Sequence, residues 1–352
     1  MRLARPSMAA RSKADANVVL GSVEKEAAAI AGRLASARPD LRVITGGKEV
    51  GALVATFDNF VFDCDGVLWM AGELLAGVRQ TIEMLQSMGK KVLFVTNNST
   101  KSRAMYARKM LSLGIKVTEE DIIPSSYAAA TFLKLERPDV KKAFVVGKEG
   151  LVDELEAAGI SVIGGPTPDA AAGMTEEQFA TAVVDADVGA VVCGWDTEFT
   201  FRKMCLASLV LQKAPEASFV ATNRDITDRL DDRHIPGNGC ALAAIEAASR
   251  REAFCAGKPS KWLAQHLIAE HCLDPERTCM VGDRTDTDIL FGNVGGMASV
   301  LVLTGCMTEE DVLAIREDDP ARPDFVLPYL GMLYTATGCG RDIPVAVTHT
   351  AS

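Results

Sequence analysis

Residues 57–69 read Phe57-Asp58-Asn59-Phe60-Val61-Phe62-Asp63-Cys64-Asp65-Gly66-Val67-Leu68-Trp69. A short apolar run leads straight into two acids separated by one residue, and a glycine follows. Residues two apart in a strand point to the same side, so Asp63 and Asp65 start on one face at the carboxyl end of a strand. Open α/β sheets bind their ligands at that edge. Two carboxylates about 4 Å apart repel by roughly 4 kcal/mol at an effective dielectric near 20. A fold keeps such a pair only if a cation or a shared proton offsets the repulsion. Mg²⁺ suits it, because it takes one or two carboxylates and completes its octahedron with water and phosphate oxygens. A bare turn has the same spacing, as does the D-x-D that holds a metal-bound nucleotide sugar, so the decision rests on the other segments.

Outward from this stretch, short apolar runs alternate with helical periodicity, the pattern of a parallel α/β sheet. Thr56–Phe62 is predicted as a strand. Val78, Ile82, Leu85 and Met88 recur at helical spacing before a stop at Gly89. Lys91–Val95 reads as a buried strand, and a helix follows from about Ser102 to Leu113. The alternation continues through strands at Phe144–Val146, Gly189–Cys193 and Ser218–Ala221, with helices at Glu149–Ala158, Arg202–Gln212 and Cys240–Ala248. A second set comprises a helix from Trp262 to His271, a strand at Thr278–Val281, a helix from Asp286 and a strand at Ser299–Leu303.

The bulk properties narrow the function. At 352 residues the chain exceeds the usual single domain. Lys and Arg number 37 against 47 Asp and Glu, a net charge of −10, which argues against a broad nucleic-acid surface. An anionic substrate would need a local metal or lysine to attract it. No apolar run is long enough to span a bilayer. Nine cysteines without CxxC pairs, some in apolar contexts such as Cys193 and Cys279, suggest buried thiols in a reducing compartment. The four histidines form no zinc pattern. Residues 1–13 carry Arg2, Arg5, Arg11 and Lys13 and no acid. They read either as the start of an organellar transit peptide or as a disordered leader. Residues 21–38 look like an Ala-rich helix whose acids weaken the transit reading.

Three further segments follow buried strands or open helices. Thr96-Asn97-Asn98-Ser99 offers a hydroxyl and backbone amides at a strand-to-helix turn, which suits a phosphate cradle but equally a helix cap. Gly257-Lys258-Pro259-Ser260 places an ammonium where it would neutralise phosphate charge; an ordinary surface lysine is the alternative. Val281-Gly282-Asp283-Arg284-Thr285-Asp286-Thr287-Asp288-Ile289 places Asp283 directly after a strand and a further acid five residues on, as in a metal site with outer support.

Taken together, DCDG (63–66), VTNNS (95–99), GKPS (257–260) and GDRTDTDI (282–289) closely resemble the haloacid dehalogenase superfamily of phosphatases. FDCDGVLW, TNNSTKSR and the GDRxxTDIxFG pattern narrow the resemblance to the phosphoglycolate and 4-nitrophenyl phosphatase subfamily, over about Phe57 to Tyr334. Thr285 stands where that pattern has an apolar residue; the flanking acids are intact.

The resemblance implies a Rossmann-like parallel-sheet core of the haloacid dehalogenase fold with an inserted α/β cap. The expected layout is an N-terminal extension at 1–50, core at 51–140, cap at 141–250, core again at 251–340 and a tail at 341–352. It implies Asp63 as nucleophile and Asp65 as general acid and base. Asp63, Asp283 and the main-chain carbonyl of Asp65 would hold Mg²⁺, with Asp288 orienting the shell and balancing Lys258. Thr96, the amides around Asn97 and Asn98, and Lys258 would carry phosphoryl oxygens. Arg224, in Phe219–Asp225, is a candidate for a substrate carboxylate, with a surface arginine as the alternative; Asn238, between Gly237 and Gly239, reads as a turn into the Cys240 helix, without chemistry.

The implied activity is hydrolysis of a small phosphate monoester, 2-phosphoglycolate first, in photorespiration or metabolite repair. Pyridoxal phosphate or a broad range of 4-nitrophenyl and sugar phosphates is the rival, and a non-catalytic phosphometabolite-binding protein the remote one. No nucleic-acid or membrane partner is expected. A homodimer is compatible, and the compartment is intracellular, cytosol or plastid.

Overall fold

A computed structural model describes residues 13–166, 173–230 and 233–335, and side chains from Gly21 on apart from 228–230. Two compact units emerge. One comprises the described residues up to Phe94, Leu113–Lys116 and those from Ala264; the other comprises Val95–Ser112 and Val117–Leu263.

The first unit is built on parallel strands in the order Arg42–Val43, Phe325–Leu327, Ala298–Val302, Thr278–Gly282, Asn59–Phe62 and Lys91–Thr96, the last of which carries the chain into the second unit. Phe60, Val61 and Phe62 are wholly buried, as are Met280 and Val300, which is why these strands read as continuous apolar runs. Beside them the Val78–Ser87 helix buries Val78, Ile82 and Leu85 at the predicted spacing. It ends as expected. Gly89 adopts a left-handed φ of 72°, and the amide of Lys90 returns to the carbonyl of Leu85 at 3.0 Å.

The described part of the first fifty residues is folded rather than a disordered extension. A helix runs from Lys13 to Ala37, and Ile30, Ala31 and Leu34 enter a core with Ile289, Leu301, Leu303, Val312 and Val326. Arg33 clasps Glu309 with two bonds of 2.8 Å. Arg38 donates to the carbonyls of Val312 and Leu313, the open end of another helix. Arg42 and Val43 then pair with Phe325 and Val326 at the sheet edge. Arg2, Arg5 and Arg11, and the tail at 341–352, lie outside the described residues.

The second unit carries a parallel sheet ordered Phe254–Cys255, Ser218–Ala221, Ala190–Cys193, Lys142–Val146 and Ser161–Gly164. Val146, Val191, Cys193, Ala207, Leu242 and Ile245 fill its core. The sheet thus lies within 142–255. The unit also takes in 95–112, because that segment is bound to the Glu149–Ala157 helix: the amide of Arg103 donates to Glu154 at 2.6 Å, and a side chain on Gly150 would overlap the backbone of Lys101. Burial pushes the Cys193 and Cys279 thiols far up, in keeping with inert interior thiols. Among the described residues no helix is long and apolar enough to cross a membrane.

Leu34 has no exposed surface. Leu34→Ala is expected to lower the unfolding free energy by about 2–5 kcal/mol, through lost burial plus the cavity left behind. Urea titration followed by circular dichroism measures it; an unchanged midpoint would mean the N-terminal helix is not part of the core.

Candidate active site

In the first unit, strand register delivers the acids. Phe62 stands opposite Val281, and Val281 opposite Val300, so the three chains leave the sheet side by side at its carboxyl edge. The amide of Asp63 donates to the Val281 carbonyl at 2.9 Å, extending the ladder to the acid itself. One oxygen from each of Asp63, Asp283 and Asp288 lies within 4.8 Å of the others, and all three residues are buried.

Backbone geometry makes room for this crowding. Asp288 returns on a π-helical turn, Thr285–Ile289, where an α-helix was expected from Asp286; the regular helix begins only at Leu290. Its carboxylate then accepts from the amides of Asp283 (3.2 Å) and Arg284 (3.1 Å). A Cβ at Gly282 would overlap Asp288, and one at Gly305 would overlap Asp283. Gly66, held at φ 86°, places its open face 2.5 Å from an Asp283 oxygen, measured from where a Cβ would sit. The loop after Ala298–Val302 closes the cradle: the Cys306 amide donates to Asp283 at 2.7 Å, and the Thr304 hydroxyl to the Gly66 carbonyl.

Burial, then the charge of Asp288, raises the Asp283 carboxyl well above the usual carboxylate range, with the Cys306 amide pulling the other way. Such a pocket favours a cation. Its donors are all carboxylate oxygens, with no imidazole or thiolate in the group, which fits a hard divalent ion such as Mg²⁺ or Ca²⁺. Asp65 is not in this group by its side chain; its Oδ1 accepts from the Trp69 indole N–H at 2.8 Å.

In the second unit, the structure brings Asn97 and Lys258 together. Lys258 is 1 % exposed, and its ammonium donates to the Val95 carbonyl at 2.7 Å, so it is no surface lysine. The Asn97 side chain accepts from the Lys258 amide at 2.9 Å and donates to the Lys258 carbonyl at 3.1 Å. Thr96 is buried, and its hydroxyl accepts from the Asn98 amide at 3.2 Å. Asn98 in turn accepts from the amide and hydroxyl of Thr100, a local turn. Arg224 is committed elsewhere: it bonds both oxygens of Glu246 and the Ala253 carbonyl. Asn238 lies at the entry to the helix, which starts at Asn238 rather than Cys240, and is buried with its amide on the carbonyls of Cys193 and Asn223.

Sequence reasoning missed the Thr304–Cys306 loop, Trp69 as the partner of Asp65, and Asn223. A signal existed for the first: Thr-Gly-Cys directly follows a buried strand, as Gly-Asp does at 282–283.

Known proteins match both the fold and these segments. Residues 60–161 match the haloacid dehalogenase-like hydrolase family and residues 255–333 the HAD-hydrolase-like family. Phosphoglycolate phosphatase 1A, chloroplastic, of Arabidopsis thaliana is 41% identical over 79% of this chain and 76% of its own. The glycerol-3-phosphate phosphatase of Gallus gallus is 40% identical over 80% and 91%. A solved glycerol phosphate phosphatase of Mycobacterium tuberculosis in complex with magnesium superposes with a TM-score of 0.67 at 27% identity, over 81% of this chain and 79% of that one. On these family matches and identities, the chain belongs to the haloacid dehalogenase-like hydrolases, where it is a phosphoric monoester hydrolase.

Proposed function

We propose that the chain hydrolyses 2-phosphoglycolate to glycolate with Mg²⁺, through an aspartyl-phosphate on Asp63. The observation that carries this is the buried Asp63–Asp283–Asp288 group at the carboxyl edge of a parallel sheet. In the first step an Asp63 oxygen forms a bond to phosphorus as the ester P–O bond breaks, and Asp65 gives its proton to the departing alkoxide. In the second, Asp65 takes a proton from water as the water oxygen bonds phosphorus and the Asp63–P bond breaks. Phosphate leaves, Asp63 is restored as a carboxylate and Asp65 as the protonated acid.

Residue environments support these roles. The Trp69 indole N–H fixes the Asp65 carboxylate for its two proton transfers. Asp63, Asp283 and the main-chain carbonyl of Asp65 hold the cation, which supplies positive charge against the phosphoryl oxygens. Asp288 fixes the Asp283 backbone through its two amide contacts. Lys258 and Thr96, with the amides at 97 and 98, neutralise the transferring group; most of the rate then comes from positioning and charge. A substrate carboxylate reaching Arg224 has to compete with Glu246 for the guanidinium.

The substrate assignment follows the Arabidopsis relative. The Gallus relative favours glycerol 3-phosphate as the second reading, at nearly equal identity. These two differ in charge, since glycolate carries a carboxylate and glycerol does not. Steady-state kcat/KM for 2-phosphoglycolate, glycerol 3-phosphate, pyridoxal phosphate and 4-nitrophenyl phosphate separates them. Phosphoglycolate is expected to lead by at least about tenfold, the worth of one charged contact of about 1.4 kcal/mol; a lead by glycerol 3-phosphate transfers the assignment.

Asp63→Asn keeps the side-chain shape and removes the nucleophile. Turnover is expected to fall by about 10³-fold or more with the fold intact by circular dichroism. Retention of more than about a few per cent of the rate overturns the nucleophile assignment.

Chelation with EDTA is expected to silence the enzyme, and added Mg²⁺ to restore it. Hydrolysis that persists after exhaustive chelation removes the role given to Asp283.

A further inference from the structure

Three asparagines, Asn97, Asn223 and Asn238, and Ser125 form one connected set around the Lys258 loop. Asn97 grips both backbone groups of Lys258, as described, and its amide also donates to the Asp225 carboxylate at 3.2 and 3.3 Å. The Asn97 carbonyl is itself held from two sides, by the Ser125 hydroxyl at 2.6 Å and the Asn223 amide at 2.7 Å. Asn223 follows the Ser218–Ala221 strand by two residues, and its carbonyl accepts from Asn238 at 2.8 Å. Asn238 also donates to the Cys193 carbonyl, at the end of the neighbouring strand. Asn223 and Asn238 are 3 % and 2 % exposed.

Packing leaves this set little room to adjust. A Cβ on Gly257 would overlap the Thr222 carbonyl and lie 2.7 Å from the Asn97 side-chain oxygen. A Cβ on Gly239 would lie 2.6 Å from the Arg224 carbonyl. Buried amides with these partners are costly to break, and each fixes the next.

We propose that Asn223 and Asn238 are positioning residues that act through Asn97, transmitting the carboxyl edge of the 142–255 sheet to the backbone of Lys258 and so fixing where its ammonium meets the phosphoryl group. This rests on the reading of Lys258 as a phosphate-binding cation. Neither asparagine touches the reacting atoms. Removing the Asn223 donor leaves the Asn97 carbonyl with the Ser125 hydroxyl alone, loosens the Asn97 side chain on Lys258, and spreads the ammonium over several positions.

The test is calorimetric titration of the Mg²⁺-loaded, full-length enzyme with inorganic phosphate. The proteins are the unaltered chain, Asn223→Ala, Lys258→Met and the double variant, each checked by melting temperature. Asn223→Asp, which keeps the shape and removes the donor, carries the same test if Asn223→Ala does not fold. Asn223→Ala is expected to weaken phosphate binding about tenfold, as loss of one buried hydrogen bond does. In the Lys258→Met background the same change is expected to have no further effect, because its route runs through the lysine. Multiplying effects in the double variant, or full affinity in Asn223→Ala with weakened Lys258→Met, overturn the positioning role alone. Full affinity in Lys258→Met overturns the lysine reading and the inference with it.

Discussion

Mutual repulsion of three buried carboxylates is the constraint around which the first unit is arranged. Asp63, Asp283 and Asp288 share a space of a few ångströms without bulk water, where like charges are most expensive. The fold pins each from behind. Strand pairing holds Asp63, the Cys306 amide holds Asp283, and a widened helical turn brings Asp288 onto two backbone amides. Glycines at 66, 282 and 305 are required because any side chain there would enter the carboxylates' volume. The site is held against its own electrostatics, which a divalent ion would relieve.

In the second unit the same end is reached without charge crowding. A buried lysine is fixed through neutral amides: Asn97 on its backbone, Ser125 and Asn223 on Asn97, Asn238 on Asn223. Amide side chains suit this task because each both donates and accepts, so one residue can secure a neighbour and be secured in turn.

What the sequence made legible was local. The Val78–Leu85 spacing closed by Gly89 and the Ser218–Ala221 strand are where periodicity and breakers placed them, whereas the strand expected at Thr56–Phe62 begins only at Asn59, Thr56 closing the Gly47–Thr56 helix. The acids at 63 and 283 were legible because each follows a buried strand, and sheet edges collect such residues. Long-range pairings were not. Nothing near Arg224 announces Glu246, and nothing near Asn238 announces Cys193 and Asn223. The Ala-rich helix after residue 20 was visible, but not its clasp on Glu309, which comes from the far end of the chain. The Ser125–Glu136 helix escaped notice because alanines and serines give it little contrast between faces. At 285–289, alternating acids and threonines read as an ordinary helix start, and the tighter demands of Asp288 overrode that propensity.

The Thr96 hydroxyl and the Asn98 amide already satisfy one another at 3.2 Å. An oxyanion bound there, as proposed, would inherit a donor that has to be released first, so recognition at this turn would be a swap of partners with a small net gain rather than the filling of a vacancy. Discrimination in such a swap favours the stronger acceptor: a doubly charged phosphoryl group outbids a neutral hydroxyl oxygen, whereas an uncharged ester or a lone water does not. In the proposed role the turn would act as a threshold on acceptor strength, indifferent to whatever hangs from the phosphate.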